Sequence, residues 1–154
     1  MKVGIIVHSH TGNTLAVARR LEENLLAVGH SVNLEQVTAV NEDPSAAGNI
    51  QLKKIPDITA YEVLIFGAPV RAFSLSPVMK VYISQLPSLK GKKVGCFVTQ
   101  HFPHPWMGGN QSIKKMRKLI EAKGENIFGT GIVNWSHKER EEKITNVLEK
   151  LMKF

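Results

Sequence analysis

The chain has 154 residues, 43% of them hydrophobic and 21% charged, which is typical of one compact globular domain. Lysine and arginine number 20 against 13 acidic residues, and the net charge of +7 favours anionic binding partners without indicating a fold. No apolar run approaches the ~20 residues of a membrane-spanning helix, and the single cysteine excludes an intrachain disulfide. We therefore expect one domain over residues 1–154, located in the cytoplasm.

Short apolar runs alternate with segments of helical periodicity, which predicts βαβ units and a parallel sheet. Four predicted strands are apolar or small almost throughout, as expected of strands covered on both faces: Val3–Val7, Val63–Phe66, Val94–Val98 and Ile127–Val133. The strand that comes second in the chain, Val32–Glu35, alternates apolar and polar residues and is typical of a sheet edge. Cys96 lies inside an apolar run, where we expect an inert thiol.

Four helices are predicted between and after these strands. The first ends at Gly29, and the second begins with Ser76 as N-cap and Pro77 at the first helical position. The third ends at Gly124, and the last is predicted to begin with the capping box Ser136–Glu139. Residues at helical spacing predict the buried faces: Leu15, Ala18, Leu21 and Leu25; Val78, Val81, Tyr82 and Leu86; Ile113, Met116, Leu119 and Ile120; Ile144, Val147, Leu148 and Leu151.

Right-handed crossovers with helices on both faces predict a doubly wound five-stranded α/β sheet. With the edge strand second in the chain, the strands fit the order 2-1-3-4-5. A ligand then binds where the winding reverses, beside the loops after strands one, three and four. The segment Thr38–Ala60 is polar and proline-punctuated, which predicts a loop with a short helix.

The loop after the first strand contains small polar residues and runs directly into the first helix: Ser9, His10, Thr11, Gly12, Asn13 and Thr14. Free amides at a helix start, the helix dipole and hydroxyl groups together form a cradle for an anion. No lysine follows Gly12 and no Gly-x-Gly-x-x-Gly is present, which excludes a Walker A loop and argues against a dinucleotide site. The first acid after the strand is Glu22, so the neutral cradle suits a single phosphate monoester.

The segment Ser9–Thr14 resembles the flavodoxin phosphate loop, a Ser/Thr-x-Thr-Gly-x-Thr pattern, at all four defined positions. Tyr61–Phe73 resembles the third strand and ring-binding loop of flavodoxin relatives. Its Pro-x-Arg portion is also similar to flavodoxin-like NAD(P)H:quinone reductases, although Ala72 separates Arg71 from Phe73. The resemblance covers essentially the whole chain and implies a short-chain flavodoxin-like fold, FMN as cofactor and electron transfer as function.

The resemblance also implies which residues contact FMN. The phosphate-binding residues would be Ser9, His10, Thr11, Gly12, Asn13 and Thr14. The residues near the ring would be Ala68, Pro69, Val70, Arg71 and Phe73 in the third loop, and Thr99, Gln100, His101, Phe102, Trp106 and Gly109 in the fourth. We expect Gly67 and Pro69 to shape a tight turn, and Gly108 with Gly109 to allow close backbone approach. Phe102 and Trp106 are the candidate stacking residues, with core packing as the alternative for Trp106.

Two other kinds of site deserve comparison. Four histidines suggest a metal site on paper (His8, His10, His101 and His104), but strands one and four are two spacings, roughly 9–10 Å, apart. That separation is too large for one zinc ion, so we expect no metal, and we expect His10 and His101 to border the flavin.

A basic helix face would suit a non-enzymatic binding module: Lys114, Lys115, Arg117, Lys118 and Lys123. No recognised nucleic-acid motif accompanies it, so we do not expect nucleic acid as a partner.

The distribution of charge differs from that of typically acidic flavodoxins. Between Glu62 and Glu121 there are nine lysines and arginines and no acid, and both ring loops lie in this stretch. Two unit charges ~8 Å apart at an effective dielectric of about 20 interact by about 2 kcal/mol. That energy equals roughly 90 mV for one electron, so Arg71 should make the potential of the anionic reduced flavin less negative.

The excess of positive charge also indicates which molecules would exchange electrons with the flavin. We expect either a redox protein with an acidic surface, or NAD(P)H together with a small acceptor. A single-electron carrier and a quinone reductase both remain open from the sequence, with the carrier favoured. The flavin itself would carry the chemistry in either case, so no catalytic side chain is predicted.

Overall fold

A computed structural model of the chain describes residues 1–42, 50–71, 73–102, 104 and 106–154. The elements follow in the order β1 (Lys2–Val7), α1 (Asn13–Ala27), β2 (Ser31–Gln36), β3 (Thr38–Ala39), β4 (Leu52–Lys54), β5 (Val63–Arg71), β6 (Ser74–Leu75), α2 (Pro77–Gln85), β7 (Lys93–Gln100), α3 (Gly109–Glu121), β8 (Ile127–Asn134) and α4 (Arg140–Leu151).

Five of these strands form a parallel sheet in the order β2-β1-β5-β7-β8. This confirms the predicted order 2-1-3-4-5, because β5, β7 and β8 are the third, fourth and fifth predicted strands. Strand β2 lies at the edge, and none of its side chains is fully buried. The winding reverses between β1 and β5, so the loops after β1, β5 and β7 meet at the carboxyl edge of the sheet.

Two helices cover each face of the sheet. Helices α1 and α4 bury their apolar stripes on one face, and α2 and α3 bury theirs on the other. The predicted inward positions are buried, apart from Leu15, Val81 and Leu119, which stay partly exposed. Each fully buried large apolar side chain contributes ~1.5–3 kcal/mol relative to solvent exposure. The sequence periodicity therefore indicates both layers correctly.

The third loop differs from its prediction. Gly67 and Pro69 do not form a tight turn; they continue β5 and pair with β7. Gly67 is required there because a Cβ would lie 2.3 Å from Cζ of Phe97, whose ring packs over the strand. The chain reverses only after Arg71, where β6 pairs antiparallel with the end of β5.

The predicted start of the last helix is also wrong. The last helix begins at Arg140 rather than at Ser136, whose hydroxyl donates to the carbonyl of His101 instead of capping. Glu139 is the N-cap and makes no side-chain capping bond. The short helix predicted in Thr38–Ala60 is absent from residues 38–42 and 50–60, which contain the antiparallel pair β3–β4; residues 43–49 lie outside the described residues.

Over the described ranges, every helix lacks the length or the apolar composition needed to cross a lipid bilayer.

We predict that Cys96 does not react with Ellman's reagent until the protein unfolds. Its side chain is fully buried in β7, and burial raises the pKa of the thiol to about 12. At pH 8 only about one thiol in ten thousand is then ionised. Release of the coloured thiolate should be at least roughly a hundredfold slower in native buffer than in denaturing guanidinium. Equal rates would show that β7 opens readily to solvent.

Candidate functional site

Residues 9–14, which we call the anion loop, connect β1 to the first turn of α1. Gly12 is the N-cap of α1 with a positive φ of 93°, a conformation that glycine adopts without strain. The amide of Leu15 donates to Oγ of Ser9 at 3.3 Å, which ties the start of the loop to the helix. Among the described residues, the amides of residues 11–14 have no acceptor. They lie at the positive end of the helix dipole and are available to an anion.

A buried pair of hydroxyls connects the anion loop to the fourth strand. Oγ1 of Thr14 lies 2.8 Å from Oγ1 of Thr99, and both side chains are almost completely buried. Either hydroxyl can donate in this pair. When Thr99 donates, the proton of Thr14 is free for an anion held at the helix start. Two residues predicted for different parts of the site are thus brought together.

A second buried polar group, His8, immediately precedes the anion loop. Its Nδ1 lies 2.6 Å from Oγ of Ser76, the N-cap of α2, and its Nε2 lies 3.2 Å from Oε1 of Glu42. Burial lowers the pKa of His8 below its ordinary value; the Glu42 carboxylate opposes this, and nearby Arg71 and His10 add to the lowering. Sequence analysis assigned no role to Glu42 and gave Ser76 only a capping role.

Residues 70, 71 and 73–75 form the aromatic hairpin, in which the end of β5 pairs with β6. Phe73 has a φ of 61°, a left-handed conformation that is unusual for a bulky residue. Its ring is 58% exposed and stacks on Phe102, with centroids 5.7 Å apart and planes inclined by 11°. Gly108, the N-cap of α3, packs directly on the hairpin, since a Cβ there would lie 2.8 Å from Cα of Phe73. This confirms a close backbone approach at Gly108, although its partner is protein.

A small cleft lies between the aromatic hairpin and the loop after β7. Its volume is about 100 Å³, and its lining residues are Val70, Phe73, Gln100, His101, Phe102 and Met107. Five of these six residues are predicted site residues, and Met107 was missed. Met107 stands beside the predicted Trp106 and Gly108 in the sequence, so only its neighbours could have indicated it.

Gln100 holds the loop after β7 in place. Its Nε2 donates to the carbonyls of Phe102 at 2.9 Å and His104 at 2.5 Å. Asn134 at the end of β8 donates to the same Phe102 carbonyl at 3.2 Å. A Cβ on Gly109 would lie 2.5 Å from Oε1 of Gln100, so this glycine is needed for packing at the start of α3.

The remaining predicted residues lie in several places. Trp106 is 64% exposed and stacks on His104 with centroids 5.8 Å apart, and it does not line the cleft. Ala68 and Pro69 belong to β5, and Arg71 ends that strand half-buried. His10 and Thr11 are exposed in the anion loop. Within the described ranges, no three side chains of His, Cys, Asp or Glu are grouped as metal ligands would be.

Known proteins are similar to this chain in sequence and in fold. The family model described as flavodoxin matches residues 5–145. The flavodoxin of Megasphaera elsdenii is 29% identical over 135 residues, covering 86% of this chain and 85% of that protein.

Solved structures agree in fold. The solution structure of two-electron reduced Megasphaera elsdenii flavodoxin superposes with a TM-score of 0.72 at 24% identity, covering 99% of both chains. A Lactobacillus acidophilus flavoprotein solved in complex with FMN gives a TM-score of 0.65 at 15% identity, covering 95% of this chain and 97% of that one. With the family model matching most of its length, the chain belongs to the flavodoxin family of FMN-binding electron-transfer proteins.

Proposed function

We propose that this flavodoxin holds the FMN phosphate on its anion loop and the flavin ring at the cleft beside Phe73 and Phe102, and passes single electrons to a partner with an acidic surface. The free amides at the start of α1, placed beside an aromatic-lined cleft, carry this proposal. FMN supplies the redox chemistry when bound, and the protein binds, orients and tunes it. The lone cysteine fits the reducing cytoplasm, where we propose that the protein works.

The anion loop fits a phosphate monoester. A dianion needs several donors and no nearby carboxylate, and residues 11–14 offer four amides without an acidic side chain. The buried hydroxyl of Thr14 adds a donor when Thr99 donates to it. Oγ of Ser9 accepts from Leu15 and keeps its own proton for a ligand. The loop therefore matches phosphate without a lysine.

The cleft fits a flat ring once its two aromatic walls separate. Ligand sites usually measure ~300–1,000 Å³, more than the 100 Å³ between the hairpin and the loop after β7. Phe73 and Phe102 now stack on each other, and both are at least 44% exposed, so moving them apart leaves the core intact. Phe73 and Phe102 would then each stack on the flavin ring instead of on each other.

The charge around the cleft supports an acidic partner. On the α2–α3 face, four cations are exposed: Lys80, Lys114, Arg117 and Lys118. On the opposite face the charges balance, because α1 and α4 together carry five acids and five cations. The exposed aromatic rings of Phe73, Phe102 and Trp106 lie on loops at the carboxyl edge of the sheet. A basic surface on one side of the molecule, next to the edge at which the flavin ring would be exposed, attracts and orients an anionic partner.

Replacing Thr11 with glutamate should weaken FMN binding through charge repulsion. Thr11 is exposed in the anion loop, so Thr11→Gln serves as an uncharged control of the same size. We expect Thr11→Glu to bind FMN at least tenfold more weakly than Thr11→Gln, or about 1.4 kcal/mol. Titrations that follow flavin fluorescence quenching measure both constants. Equal affinities would place the phosphate elsewhere, and riboflavin, which lacks the phosphate, should not distinguish the variants.

Removing the charge of Arg71 should make the more reducing flavin couple more negative by up to ~90 mV at low salt. High salt should reduce the shift, because Arg71 is only half-buried. Lys93→Gln is the matched control, since Lys93 begins β7 roughly 20 Å from the carboxyl edge. Spectroscopic redox titration of Arg71→Gln and Lys93→Gln decides the outcome. Indistinguishable potentials in the two variants would mean that Arg71 does not tune the flavin.

The basic surface should show itself in reactions with small charged oxidants. Oxidation of the reduced protein by anionic ferricyanide should slow as salt is added, and oxidation by cationic hexaammineruthenium(III) should accelerate. The double variant Lys114→Glu/Lys118→Glu should weaken both trends. Lys143→Glu/Lys150→Glu, with the same net charge but on α4, should leave them nearly unchanged. Opposite salt trends in stopped-flow measurements would argue against an acidic partner.

A further inference from the structure

A chain of buried hydrogen bonds joins the anion loop to the aromatic hairpin. We propose that His8 is a positioning residue that couples these two parts of the site through Ser76, so that an anion on the loop tightens binding of the ring. This inference rests on the proposed function and adds a means by which the phosphate and ring ends of the site act together.

The contacts of His8 place it between the two parts. Its amide donates to the carbonyl of Gly67 in β5 at 3.0 Å, and the next residue, Ser9, begins the anion loop. Its ring reaches Ser76, which follows the aromatic hairpin directly and whose own amide donates to Pro69 at 3.2 Å. A displacement of residues 8 and 9 is therefore transmitted to the base of the hairpin and to the start of α2.

One assignment of hydrogen positions satisfies every group in this series of hydrogen bonds around His8. Oγ of Ser76 accepts from the amide of Met79, which leaves its own proton to donate to Nδ1 of His8. The imidazole then carries its proton on Nε2 and donates it to the Glu42 carboxylate. His8 is neutral in this arrangement, in agreement with the lowering of its pKa by burial.

The buried imidazole is a poor choice if packing is its only role. Ile6, two residues earlier in β1, fills the core with a fully buried apolar side chain. His8 and Ser76 have no solvent exposure, so a missing partner would cost free energy at either one. The polar chain fixes the relative position of two loops, a restraint that an apolar side chain at position 8 would lack.

Two substitutions separate the two side-chain hydrogen bonds of His8, the one to Ser76 and the one to Glu42. In His8→Asn the side-chain amide reaches the position of Nδ1, so the bond to Ser76 is kept and that to Glu42 is lost. In His8→Gln the amide reaches the position of Nε2, so the bond to Glu42 is kept and that to Ser76 is lost. Urea unfolding of both variants gives their stabilities, so that a change in binding is compared between proteins that fold.

The coupling is measured with riboflavin and inorganic phosphate as separate ligands at pH 7.5. In the wild type and in His8→Asn, saturating phosphate should tighten riboflavin binding about tenfold, the scale of one buried hydrogen bond. In His8→Gln the effect should fall below about twofold. An equal phosphate effect in both variants, or none in the wild type, would overturn the proposal.

Imidazole nitrogen NMR of the wild type provides a second test should His8→Gln fail to fold. We expect the Nε2–H tautomer in the free protein and a shift of the Nδ1 signal when inorganic phosphate is added. An Nδ1–H tautomer, or a signal that ignores phosphate, would reject the coupling. A wild type that binds riboflavin and FMN equally well, with no response to phosphate, would reject the proposed phosphate site as well. Normal FMN binding together with a His8 Nδ1 signal that does not respond to inorganic phosphate would reject the coupling and leave the proposed phosphate site intact.

Discussion

Strand β1 pairs in parallel with β5 so that Val7 lies opposite Gly67, and the amide of His8 extends this pairing by one hydrogen bond. Parallel strands end at the same edge of a sheet, so this pairing places the anion loop beside the aromatic hairpin. Gly67 permits it because the Phe97 ring occupies the space of a side chain. Core packing thus positions the anion loop and the aromatic hairpin next to each other.

The polar groups at this edge form an exposed system and a buried system, and Thr14 belongs to both. Exposed amides and hydroxyls of the anion loop are free for a ligand, whereas the hydroxyls and imidazole beneath them are buried and bonded to one another. The buried system joins the start of α1 to β7 through Thr14 and Thr99, and the end of β1 to the start of α2 through His8 and Ser76. The anion loop has fixed contacts on both sides, and this preorganisation lowers the conformational entropy that a ligand would have to remove on binding.

Much of the fold was predictable, because buried strands and amphipathic helices each have a characteristic periodicity. The position of the anion loop between a strand and a helix was predictable too, and its binding of a phosphate stays a prediction from its residue types. The aromatic hairpin was not: nothing in the residue type of Phe73 indicates a left-handed backbone, and the Gly-Ala-Pro segment looked like a turn while it continues a strand. Ser136 fits a capping pattern, but a carbonyl of the neighbouring loop competes for its hydroxyl. The partners of His8 come from distant segments that only tertiary packing brings together.

The excess of positive charge on one face of the sheet has a consequence for encounters in solution. Helices α2 and α3 carry five cations and one acid, whereas α1 and α4 carry five of each, so positive charge is concentrated on one face of the sheet and the molecule has a dipole moment across it. A negatively charged protein approaching from any direction exerts a torque that turns the α2–α3 side toward it before the surfaces touch. Rotation during approach then replaces part of the random search for the correct orientation, so that a weak and short-lived complex suffices for an electron to cross.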